Sequence, residues 1–251
     1  MYNQKKLFLP LLVISLFVLF LLTNCSDSSF TEPEESSPPQ FQMQTISLPD
    51  NMANSSDPEV QRVINYITMA NVYSQYSNLL VPPDGLDNQG NNDGPPWIYS
   101  WDVDNDEYGI FTATLTISED TEQNSYLFEL IVNGILDGQE FDQFLFIEGQ
   151  QSMDGTEGEL KINDPESENG RLALVRWNST EEGVYTLTIV EYNTYEIHIS
   201  LNDGDSGSIE VYQLEDNAEK TLIFKAEWNS DGTGDWFSYD ENGNQEDNGS
   251  W

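Results

Sequence analysis

One cysteine, one histidine and eight Lys or Arg residues are all that this 251-residue chain holds of three kinds of chemistry. A single thiol, Cys25, forms no internal disulfide, so the stability of the folded part must come from its core. With His198 as the only histidine, the three or four nitrogen and sulfur ligands of a zinc site are missing. Lys and Arg are outnumbered by 45 Asp and Glu, for a formal net charge of −37. A field of that sign repels polyanions, and phosphate backbones need clustered cations. The basic residues after Cys25 are scattered at Arg62, Lys161, Arg171, Arg176, Lys220 and Lys225, which excludes nucleic acid and anionic lipid headgroups as partners. The acidity serves either solubility in salty water, where screening over about 8 Å makes the repulsion tolerable, or cation binding.

What the chain does have begins with Lys5 and Lys6, an apolar run over residues 7–22, and Leu22-Thr23-Asn24-Cys25 directly behind it. A basic pair ahead of a short apolar core is the pattern of an export signal, and Pro10 with the modest length argues against a spanning helix. Leu-Thr-Asn-Cys resembles the lipobox of bacterial lipoprotein precursors, with Asn24 where Gly, Ala or Ser is usual. That resemblance implies a signal peptide over residues 1–24, a diacylglyceryl group on Cys25 and a cell-envelope location at the outer membrane, with the periplasmic and surface-exposed faces both open. Two or three acyl chains hold a protein firmly where one binds reversibly. Residues 25–55, rich in Ser, Pro, Glu and Gln, are expected to be a lipidated, disordered tether reaching on the order of 30 Å.

Residues 56–251 are expected to form one helix and an antiparallel β domain. Ser56-Asp57-Pro58-Glu59 has the form of a capping box with Pro in the first turn. From there Val60, Val63, Ile64, Ile67, Ala70 and Tyr73 recur at helical spacing, continuing through Tyr76 and Leu80 until Pro82-Pro83. The stripe lacks the cationic face of a membrane-surface helix, so packing on a sheet is its expected role.

Beyond a Gly, Asn and Asp-rich loop the period becomes two. Phe111, Ala113, Leu115 and Ile117 alternate with hydroxyl residues, and similar segments follow to residue 239. Turn signals such as Asn133-Gly134, Asp154-Gly155, Asp231-Gly232 and Asn242-Gly243 separate them. No interval holds a crossover helix, so the fold expected is mainly β: an antiparallel meander of about ten strands, forming a barrel or a strongly curved sheet, with one N-terminal amphipathic helix. A weak repeat joins Gly158-Glu159-Leu160 with Trp177-Asn178-Ser179, and Gly207-Ser208-Ile209 with Trp228-Asn229-Ser230.

The inventory for chemistry is thin. His198 sits on the polar face of its strand, and no Gly-x-Ser-x-Gly elbow accompanies it, so no catalytic residue is assigned. Asp102, Asp104 and Asp106 alternate so that their carboxylates converge on a hard cation such as calcium. They also make an ordinary solvated turn, and Glu107 stands where an EF-hand requires Gly. Trp97, Tyr99, Trp101, Trp177, Trp228, Trp236, Phe237, Tyr239 and Trp251 either stack on sugars or fill the core. Trp251 is expected to tie down the C-terminus.

Three function classes follow. The first is a non-catalytic lipoprotein, held to the membrane by its lipid, whose β domain binds a protein or glycan. The second is a carrier of a lipid or other apolar ligand in a barrel-like cavity, by topological likeness to lipoprotein-sorting proteins and lipocalins. The third is a hydrolase with two carboxylates, one raised by burial.

Overall fold

The computed structural model describes residues 38–90, 94–105, 109–136, 138–166, 170–192, 194–202, 204–215 and 219–251. The export signal, Cys25 and Asp106 lie outside them. Among the described residues no helix is long and apolar enough to cross a membrane. Helix α1 (Asp50–Ala53) and helix α2 (Pro58–Tyr76), with a 3-10 turn (Ser77–Leu80), precede twelve strands: β1 Trp97–Asn105, β2 Gly109–Asp120, β3 Ser125–Leu136, β4 Gln139–Ser152, β5 Glu157–Asn163, β6 Arg171–Ser179, β7 Tyr185–Glu191, β8 Tyr195–Leu201, β9 Gly207–Leu214, β10 Lys220–Trp228, β11 Gly234–Tyr239 and β12 Gln245–Ser250. Their order in the sheet is the chain order, and every pair described in register is antiparallel.

The meander is therefore as expected, but the barrel is not: β1 and β12 are free ends of the order. The physical reason lies in the end strands. In β12, Gln-Glu-Asp-Asn-Gly-Ser is exposed nearly throughout, so closure would bury nothing apolar and would desolvate carboxylates. At β1, the Asn88 Oδ1 atom accepts from Ile98 N at 2.8 Å and Gln89 N donates to Ile98 O at 2.8 Å, so a loop already occupies that stretch of edge. These end strands are also the two that periodicity does not reveal.

The chain packs into two compact units. The first holds Ser74–Met153 with residues 38–42, and the second holds Met43–Tyr73 and Asp154–Trp251. In the first, strands β1 to β4 bury Trp97, Tyr99, Phe111, Leu115, Ile117, Phe128, Leu130 and Ile147. Phe41 stands edge-on to Phe128 at 5.0 Å, and a Cβ at Gly149 would strike the Phe41 ring at 2.6 Å and Leu80 at 2.8 Å. Glycine there leaves the room that Phe41 and Leu80 occupy against the sheet. The Gln151 side chain accepts from Gln42 N and donates to Gln40 O, fixing the extended segment. Asn133-Gly134, expected to be a turn, lies inside β3, where the register slips between Val132 and Gly134 and Gln143 takes a φ of 52°. The extra residue of this bulge is on β4, where Gln143 is left-handed, and Gly134 runs on through β3 as its partner strand.

In the second unit α2 buries Val60, Val63, Ile67, Ala70 and Tyr73 of the predicted stripe, while Ile64 is half-buried. It lies on the apolar face of the sheet, with Tyr66 at 5.9 Å from Phe224 and the Arg62 guanidinium 4.2 Å above that ring. Its cap is Asp57 rather than Ser56, since Asp57 Oδ1 accepts from Glu59 N at 2.9 Å and Val60 N at 3.3 Å. Burial begins before residue 56: Ile46 and Met52 are inside, Asn71 Oδ1 accepts from Ile46 N, and Asn51 Nδ2 donates to Asp231 O. The apolar residues among 38–55 are too sparse to show a period, yet Phe41, Ile46 and Met52 are each buried.

The weak repeat has a structural meaning. Gly158 pairs with Trp177 and Gly207 with Trp228, so each Trp faces a position without a side chain. A Cβ on Gly207 would meet the Trp228 ring at 2.7 Å, and Trp228 Nε1 donates to Asp205 O at 2.9 Å. The same latch recurs where sequence shows no repeat: the Trp251 ring covers Gly234, and Trp251 Nε1 donates to Gly232 O at 2.8 Å. Trp251 ties down the C-terminus in this way.

Candidate functional site

The outward face of the second unit is an ordered row of polar groups. Registers from β5 to β10 align Glu159, Arg176, Thr188, His198, Glu210 and Lys225 side by side, each opposite the next. Period-two alternation puts them there, because Leu160, Val175, Leu187, Ile197, Ile209 and Phe224 occupy the other face. Glu159 accepts from Arg176 Nε at 2.7 Å and lies 3.2 Å from Lys161 Nζ. Burial alone would raise this carboxyl, but the hydrogen bonds from Arg176 and Lys161 outweigh it and the net shift is downward. Lys225 sits 2.9 Å from Glu227 and 3.6 Å from Glu210, and the Glu227 hydrogen bond raises its pKa against the opposing effect of burial.

His198 is part of this lattice. Its Nε2 is 2.5 Å from Glu196 Oε1, which also accepts from Lys220 Nζ at 2.7 Å. Lys220 stands 4.7 Å above the Tyr212 ring, and Tyr212 donates its hydroxyl hydrogen to Glu210 at 2.7 Å. Burial together with that hydrogen bond pushes the Tyr212 pKa up to about 12. With its side chain 38% exposed and its bond made to a carboxylate, His198 is the sheet-face histidine expected from its strand. The arrangement cross-links β8, β9 and β10.

The candidate cation ligands behave differently. Asp102 and Asp104 lie on strand β1, opposite Thr112 and Ile110, and Asp102 Oδ1 accepts from Thr112 Oγ1 at 2.7 Å. Among the described residues no group of three or more His, Cys, Asp or Glu could hold a metal ion.

Two features escape sequence reasoning. Glu191 is 8% exposed and shares the core face with Tyr185, Leu187 and Ile189. Burial raises its pKa, and it pairs across strands with Tyr195, whose electrostatic neighbours also include Tyr66 and Arg62. The signal was available, for Tyr-Thr-Leu-Thr-Ile-Val-Glu puts the acid in the apolar register.

The second feature is an isoleucine pair. Ile110 and Ile135 are 65% and 49% exposed and stand opposite each other on β2 and β3. Of the aromatics, Trp97, Tyr99, Trp177 and Trp228 are core, while Trp101, Trp236, Phe237, Tyr239 and Trp251 are half-buried. No family model, curated protein or solved structure matches this chain.

Proposed function

We propose that the protein is a lipid-anchored envelope lipoprotein whose β domain works by binding a protein, not by catalysis. The observation that carries the anchor is Leu22-Thr23-Asn24-Cys25 behind an apolar run that follows Lys5 and Lys6. The support for binding is a solvated sheet face on which Ile110 and Ile135 remain outside the core. A carrier role loses its proposed lumen in an open strand order. Expressed in a bacterial host with labelled palmitate, the full chain should incorporate label. Cys25→Ser should abolish the label and move the protein out of the membrane fraction. A Ser variant that stays embedded, or a wild-type chain that takes no label, defeats the anchor.

A further inference from the structure

The outward face of the first unit mixes exposed apolar side chains with carboxylates. Across β1 to β4 one register row reads Asp104, Ile110, Ile135, Glu140, two carboxylates enclosing two exposed isoleucines. Further along the same face Ile131 pairs with Leu145, both half-buried. The rest of the frame is Asp102 and Glu129, and the described part of this unit holds no Lys or Arg at all. Asp102, Asp104, Glu129 and Glu140 therefore stand with no basic side chain of their own unit beside them.

The isoleucines are also held in place. Gly109 and Gly134 have φ of 109° and 130°, and a Cβ on the first would strike Ile135 O at 2.3 Å, on the second Ile110 O at 2.6 Å. The backbones of β2 and β3 thus approach around the pair as only glycine allows, next to a bulge in β4. A free apolar pair on a rigid backbone costs little ordering entropy when covered.

We infer that this face docks a protein segment with an apolar centre and a basic rim, the isoleucines supplying the contact and the surrounding carboxylates the attraction. Charge complementarity selects the partner, since an acidic or neutral apolar surface would gain nothing from the frame. The inference rests on the protein-binding reading above, but its test is independent of the anchor.

The full chain, immobilised on a sensor, is exposed to an amphipathic Lys/Leu peptide and to its Glu/Leu counterpart. The Lys/Leu peptide should bind, more weakly as salt rises, and the Glu/Leu peptide should not. Ile110→Thr combined with Ile135→Thr should weaken Lys/Leu binding at least tenfold while the melting temperature stays within a few degrees. Should that variant melt early, Asp104→Asn with Glu140→Gln, which leaves the isoleucines in place, should weaken binding and flatten its salt dependence. Equal binding of both peptides, or unchanged binding by either pair of substitutions in a folded protein, overturns the inference. Palmitate labelling of the same preparation reads the anchor separately.

Discussion

The two units use one strand pattern and solve its electrostatics in opposite ways. Every Lys and Arg among the described residues belongs to the second unit. Lys161 and Arg176 converge on Glu159, Lys220 meets Glu196, Lys225 meets Glu210 and Glu227, and Arg62 lies between Glu59 and Phe224. The first unit carries Asp and Glu only, and exposes its isoleucine pair among them. A very acidic chain has few cations to distribute, and placing all the described ones in one unit leaves the other with no basic side chain of its own. The lesson is that net charge alone hides where the field is.

The sharpest way to break the comparison is to remove a latch from the second unit. Trp228→Ala deletes a buried ring seated on Gly207 together with its hydrogen bond to Asp205 O. It should cost about 3 to 5 kcal/mol, seen as a lower denaturation midpoint. In the first unit the matching test is Gly134→Ala, which forces a Cβ into Ile110 O at a φ of 130°. That should destabilise by roughly 1 to 3 kcal/mol, and a neutral result would mean that the β2 and β3 backbones separate freely.

Acid titration separates the carboxylates of the second unit by sign. Glu191 is raised by burial, so its contribution to stability is full below the ordinary value of 4.5 and is lost as pH rises through its higher folded value. Glu191→Gln should therefore raise the melting temperature at pH 7 and remove that loss. Glu159 and Glu196 are lowered, so their contributions are full above 4.5 and disappear as pH falls through their lower folded values. The smallest effect is expected for Glu159→Gln at neutral pH. An exposed ion pair is worth about 0.2 to 1 kcal/mol, and added salt should erase the difference between variant and wild type.

Much of the architecture was legible residue by residue. The stripe from Val60 to Tyr73 and the alternation of Phe111, Ala113, Leu115 and Ile117 needed no more than their periods, because burial of one face is a local property of spacing. Strands β1 and β12 were not legible. Asp102-Val103-Asp104 reads as a turn or a cation loop, and Gln-Glu-Asp-Asn-Gly-Ser has no strand character. Each is a strand because a neighbour, β2 or β11, offers it hydrogen bonds. Glu191 stood in an apolar register and was passed over, since with 45 carboxylates one more attracts no notice. Ile110 and Ile135 stand on the polar face by the alternation of their own strands, and what the sequence did not show is that the two lie opposite each other.

By itself, then, the sequence determined the antiparallel strands, the helix with its buried stripe, and a strongly acidic polarity, all of which follow from spacing and composition along a single chain. Tertiary structure alone decided that the order stays open, that each latch tryptophan faces a glycine, and that all described cations share one unit. These depend on pairs of residues far apart in the chain, whose distance and register are set only when strands align.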